Sequence, residues 1–184
     1  MPTRRHILRA GGGLAAGFFL PAGLIRASAA DDVVEIHMQG RPDGSAVWFD
    51  PIGLLVRPGQ TIRWINSDPG NSHTATAYHP RNDDRPLRIP ETAQPWNSDY
   101  LLPNEHFDVT LTVEGVYDYF CIPHEQAGMV GRLVVGTPSG PGARSFEGVG
   151  RTTGGQNGLP VPEAALKAFP DVQEILTRKI VRRA

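Results

Sequence analysis

One short run, Tyr119-Phe120-Cys121-Ile122-Pro123-His124-Glu125-Gln126-Ala127-Gly128-Met129, concentrates the chemistry of this 184-residue chain. Two residues separate Cys121, the only cysteine, from His124, and four separate His124 from Met129. A further histidine, His73, stands about fifty residues upstream in Asn71-Ser72-His73-Thr74. A thiolate, two imidazoles and a thioether make a soft, trigonal donor set with one weak axial position. Cu(I) prefers soft sulfur and Cu(II) prefers nitrogen in a tetragonal field, so this plane satisfies neither fully. A centre that changes little between the two states has little to reorganise, which makes electron transfer fast. The four residues His73, Cys121, His124 and Met129 therefore read as the ligands of a single copper ion, one per chain.

Each residue alone has a plainer reading. A buried cysteine is often just a small apolar side chain, and methionine often fills gaps in a core. Their joint spacing, after one strand and before another, favours the metal. Pro123 has no backbone N–H and cannot donate to the Cys121 sulfur, which tunes the potential and stiffens the loop. Gly128 eases the bend that brings Met129 round. His73 comes from a distant strand end, so the intact fold must set the geometry. His37, His79 and His106 are weaker candidates, read as surface or satisfied core residues. Glu125 could serve in docking, though a plain solvated carboxylate fits better.

The elements around these residues read as short strands. Val34, Ile36 and Met38 alternate with Val33, Glu35 and His37, as a half-buried strand does. Ile52 to Val56 is a compact apolar run, and Arg57-Pro58-Gly59-Gln60 is a turn signal. Thr61 to Asn66 carries Ile62 and Trp64 on one face. Phe107, Val109, Leu111 and Val113 alternate, Glu114-Gly115 turns the chain, Val116 to Phe120 returns, and Gly131 to Val135 closes the set. This pattern argues for an all-β sandwich or barrel. Ala77 to His106 is irregular and long for a loop, with Trp96, Leu101 and Leu102 available to pin it down. Residues 137–162 read as a Pro/Gly-rich linker. In 163–184 the period changes: Leu166, Phe169, Val172, Ile175, Leu176 and Ile180 form one apolar helix face. Two short helices are expected, with Pro170 at the first position of the second and the apolar face covering the sandwich.

Residues 1–29 read as an export signal and stand outside the fold. Thr3-Arg4-Arg5-His6-Ile7-Leu8-Arg9 resembles a twin-arginine signal, and Ala27-Ser28-Ala29 a small-residue cleavage site. An uncleaved anchor is the alternative; after cleavage, no stable membrane insertion is expected. Loss of Arg4, Arg5, Arg9 and Arg26 removes four of the 18 basic residues and none of the 19 acidic ones, leaving a balance of −5. That surplus argues against nucleic acid and for basic or neutral partners. A lone cysteine in an exported chain forms no internal disulfide; it is a free thiol, an intermolecular link or a metal ligand, and the placement of His124 and Met129 favours the ligand.

Residues Val33 to Val135 resemble the cupredoxin family, most specifically from Trp96-Asn97-Ser98-Asp99 onward. The ligand spacing is similar to that of plastocyanin, halocyanin and pseudoazurin, not azurin, and the tail to that of pseudoazurin. The resemblance implies a cupredoxin-like Greek-key β-sandwich or barrel over residues 30–136 with a short C-terminal helical tail. It also implies a type 1 blue copper centre on His73, Cys121, His124 and Met129. Two departures stand out: Thr74 takes the place of the family's usual Asn after the first histidine, and Phe120 that of a common tyrosine. The function implied is a periplasmic carrier of single electrons, not an enzyme, with a cytochrome or a terminal reductase or oxidase as partner. A copper carrier or storage protein is the alternative, disfavoured by only three methionines. A multi-copper enzyme would need further histidine-rich loops.

Overall fold

The computed structural model describes residues 33–146 and 160–183. The export signal at 1–29 falls outside them, as does the middle of the 137–162 stretch. The described strands are β1 (Val33–Gly40), β2 (Val47–Asp50), β3 (Gly53–Val56), β4 (Gln60–Asn66), β5 (Thr76–Ala77) and β6 (His106–Leu111). They continue with β7 (Gly115–Phe120), β8 (Val130–Val135) and β9 (Ile180–Val181). Turns of 3₁₀ helix occupy Ile122–Ala127 and Pro141–Ala143, and two short helices, α1 (Glu163–Ala168) and α2 (Val172–Arg178), precede β9.

Period-two alternation builds the first sheet, ordered β2-β1-β4-β6. Ile36 and Met38, Val47 and Phe49, and Ile62 and Trp64 point inward, while the residues between them stay half-buried. β1 runs parallel to β4; the other pairs in this sheet are antiparallel. The second sheet is ordered β5-β7-β8-β3-β9, with β3 parallel to β8. Between the sheets, Ile36, Met38, Phe49 and Trp64 pack with Leu54, Tyr117, Tyr119, Leu133 and Val135 in one core that also holds Cys121 and Met129. The all-β sandwich expected from the sequence is the fold observed.

Every residue of β7 and β8 is buried, because the second sheet is covered on its outer face as well. Val116 and Val134 lie against Ile175 and Val181, and Phe120 and Val130 against Tyr78, Val161 and Ala165. The tail departs from its expected pattern in detail. Val172, not Pro170, holds the first position of α2, and Asp171 caps it: its Oδ1 accepts hydrogen bonds from the N–H groups of Gln173 (2.7 Å) and Glu174 (3.3 Å). The helix ends at Lys179, whose φ is 67°, so Ile180 is no part of the helix face. It pairs with Leu54 in β9 and is 46% exposed. The start of the 137–162 stretch is likewise no free linker, since Phe146 stacks on Phe169 with centroids 5.1 Å apart.

A buried charge cluster joins these coverings to the sheet. Asp118 on β7 is fully buried and bonds Arg132 of β8 (Nε–Oδ1 2.7 Å) and Arg88 (Nε–Oδ2 3.0 Å). Arg88 also donates to the carbonyls of Pro141, Gly142 and Arg144, and Arg132 to that of Pro170. One carboxylate thus ties the irregular segment, the 137–146 strand exit and the tail to the second sheet. Asp118→Asn leaves two buried guanidinium groups without a counter-charge and is expected to lower stability by about 3–5 kcal/mol. Urea unfolding measures this, and a loss under about 1 kcal/mol would show the cluster to be dispensable.

Candidate metal centre

The ligand loop is the connection between β7 and β8, closed by backbone hydrogen bonds. Cys121 follows β7 directly, and its N–H donates to the Met129 carbonyl at 3.0 Å. Inside this clasp His124 N–H donates to the Cys121 carbonyl (3.0 Å) and Met129 N–H to the His124 carbonyl (3.1 Å). Gly128 ends the 3₁₀ turn with φ 79° and ψ 24°, a left-handed conformation that glycine adopts without strain. His73 arrives from the loop after β4 and is fixed by a two-way bridge with Leu101, N–H to carbonyl in both directions at 3.1 and 2.8 Å.

These paths bring three donor atoms together. Cys121 Sγ lies 3.4 Å from His124 Nδ1 and 3.6 Å from His73 Nδ1, and the two Nδ1 atoms lie 3.1 Å apart. Among the described residues this is the one group of three or more His, Cys, Asp or Glu side chains arranged to hold a metal ion. Met129 is fully buried beside Cys121 in the same core cluster. His73 and Cys121 are fully buried, whereas His124 is half-buried and flanked by exposed Pro123 and Ala127. Two nitrogens and a sulfur converging on one point suit a soft trigonal metal site.

Hydrogen bonds prepare the donors. His73 Nε2 lies 3.0 Å from Asp68 Oδ2, both side chains being buried, so the ring N–H sits on Nε2 and the Nδ1 lone pair faces the cluster. Burial holds the His73 pKa below 6.5, against the pull of Asp68, and burial together with neighbouring His73 lowers that of His124. Burial works against the Asp68 carboxylate, yet hydrogen bonds from Asn71, Gly70 and His73 hold its pKa below 3.8. Burial pushes the Cys121 thiol up to about 11, against the opposing N–H groups of Thr74 and His124. Thr74 N–H donates to Sγ at 3.3 Å, and Thr74 Oγ1 accepts from Ile122 N–H at 2.9 Å. The tie between the two ligand stretches thus runs through a threonine hydroxyl.

Several neighbours differ from their sequence reading. Glu125 is neither solvated nor available for docking; it is buried, accepting from Tyr78 Oη at 2.6 Å and pairing with Arg85 Nη2 at 2.6 Å. Burial raises its pKa above 4.5, against Tyr78 and Arg85. Gly128 is buried, because α1 covers it: a Cβ there would meet the Ala164 carbonyl oxygen at 3.0 Å. Trp96 and Leu101 do pin the irregular segment, but Leu102 is 57% exposed. His37, His79 and His106 stand apart from the donor cluster, His37 on Ser67 Oγ at 2.8 Å. Asp68 went unnoticed, since nothing in a lone aspartate five residues before His73 signals its burial.

Residues 36–136 match the model of the copper-binding proteins of the plastocyanin/azurin family. Chloroplastic plastocyanin of Oryza sativa subsp. indica is 32% identical over 140 residues, which cover 73% of this chain and 88% of that protein. Pseudoazurin of Paracoccus pantotrophus is 30% identical over 102 residues, 55% of this chain and 62% of that protein. Among solved structures, pseudoazurin of Sinorhizobium meliloti aligns with a TM-score of 0.50 at 28% identity, covering 73% of this chain and 89% of that one. With its donor triangle built from the β7–β8 loop and the loop after β4, the chain belongs to the plastocyanin/azurin family and is a type 1 copper electron-transfer protein.

Proposed function

We propose that His73, Cys121 and His124 would hold the copper, with Met129 as a weaker fourth donor, in a periplasmic carrier delivered by the twin-arginine route. Bound copper supplies a one-electron Cu(I)/Cu(II) couple. The protein's share is to present two neutral imidazoles and a thiolate in a fixed triangle, to exclude water from Cys121 and His73, and to leave one ligand edge near the surface. The single observation that carries the reading is the convergence of Sγ and two Nδ1 atoms within 3.6 Å. Half-buried His124, beside exposed Pro123 and Ala127, gives the electron its shortest way in and out.

The partner is a cytochrome or a terminal reductase or oxidase presenting a basic surface. Between Asp31 and Gly131 the chain has 15 acidic and 6 basic residues, a field that steers such a partner. A copper carrier or storage role is supported less well, because three of the four donors are fully buried and a cargo metal needs an accessible handover ligand. No helix among the described residues is long and apolar enough to cross a membrane.

Purified protein titrated with Cu(II) is expected to take up about one ion per chain and to show an intense visible charge-transfer band with the matching EPR signal. Cys121→Ser should abolish that band; its retention refutes the ligand assignment. Met129→Leu should keep copper and raise the potential, since it removes a weak fourth donor that favours Cu(II), and voltammetry showing a fall would count against it.

Metal uptake should also be pH-dependent in a defined direction. With the thiol at about 11, the apoprotein keeps the Cys121 proton at pH 7, and the ion must displace it. Binding therefore releases about one proton per chain, and apparent affinity rises about tenfold per pH unit between pH 7 and 9. Calorimetry in buffers of different ionisation enthalpy reads the proton directly; none released would mean the thiolate is already formed.

A further inference from the structure

We propose that Asp68 is the counter-charge of the metal centre, a positioning residue that lowers the copper potential through His73. The proposal rests on the ligand assignment above and adds a residue that lies outside the ligand loop. Asp68 is 2% exposed, and its carboxylate makes no ion pair with any Lys or Arg among the described residues. Its three bonding partners are all donors: Gly70 N–H to Oδ1 at 2.8 Å, Asn71 Nδ2 to Oδ2 at 2.8 Å, and His73 Nε2 to Oδ2 at 3.0 Å. An acceptor-only set of this kind is that of an ionised carboxylate.

The surroundings hold the group in one place. Asp68 N–H donates to Asn66 Oδ1 at 3.0 Å, and Asn66 Nδ2 in turn donates to the carbonyls of Asn71 and Leu101 at 2.9 Å each. Leu101 is the same residue that bridges the His73 backbone, so the carboxylate and the imidazole share one frame. At the end of β1, position 40 is a glycine, and a Cβ there would overlap the Asp68 carboxylate. An unpaired buried anion carries a large desolvation cost. A cation on the far side of the His73 ring offsets it, and a dication does so better than a monocation. The hydrogen bond also makes Nδ1 a stronger donor, which again favours Cu(II).

The test uses the full copper-loaded protein and two variants. Asp68→Asn keeps the shape and an oxygen that accepts from Nε2 but removes the charge; Asp68→Ser is the second variant should the first fail to fold. Cu(II) affinity is expected to fall 10–100-fold, the range for lost outer partners of metal ligands, with Cu(I) affinity much less affected. Each tenfold selective loss of Cu(II) raises the one-electron potential by 59 mV. Asn71→Ala, which removes one donor to the carboxylate and leaves its charge, should not raise the potential. A blue, folded Asp68 variant with the wild-type potential overturns the proposal, as does an equal rise in Asn71→Ala. Failure of the wild type itself to bind copper would instead overturn the ligand assignment.

Discussion

The arrangement depends first on the backbone clasp between Cys121 and Met129. The β7–β8 ladder runs in unbroken register from Gly115 opposite Val135 to Phe120 opposite Val130, and the Cys121 N–H to Met129 carbonyl bond continues it by one step. Period two then dictates that Cys121 faces inward, with Tyr119 and Tyr117, while Phe120 faces the tail. A slip of one residue would send the thiol to the outer face and strand the loop beyond it. Within the clasp, seven residues must return the chain while presenting His124, and the left-handed Gly128 lets them do so.

A loop of this length would be mobile on its own, so the coverings of the second sheet matter to the centre. Glu125 anchors the middle of the 3₁₀ turn to Tyr78 and Arg85 of the irregular segment. α1 presses on Gly128 as well. Thr74 fastens the Cys121–Ile122 step to the His73 stretch. The long 77–106 segment and the helical tail therefore act as a brace around the donors. Asp118, through Arg88 and Arg132, keeps that brace on the sheet. Rigid donors change little between oxidation states, which is what a fast one-electron centre requires.

How much of this was legible in the sequence follows from the range of each interaction. Cys121, His124 and Met129 are local to one hairpin loop, so their spacing alone exposed them. Strands β1, β4, β7 and β8 announced themselves by alternation or apolar runs. The four-residue β2 and the two-residue β5 and β9 did not, because so few positions carry no period. Ile180 matched the helix face by spacing, yet Lys179 turned the chain out of the helix one residue earlier. Glu125 was misread because its partners, Tyr78 and Arg85, stand some forty residues away and only the fold buries all three. Asp68 was invisible for the same reason.

The two histidines of the triangle divide the work between them. His73 is fully buried, bonded to a buried carboxylate and bridged through its own backbone to Leu101. Nothing can reach it from solvent, so it can serve geometry and electrostatics alone. Among the described residues no carboxylate bonds His124, which is only half-buried, with Pro123 and Ala127 exposed at its side. A second carboxylate there would sit at the surface, where water screens its charge, and would burden any apolar docking contact with desolvation. Placing the anion behind the buried histidine lets its field act on the ion at low dielectric while the exposed edge stays uncharged. The separation is what allows one small site to be both tuned and touched.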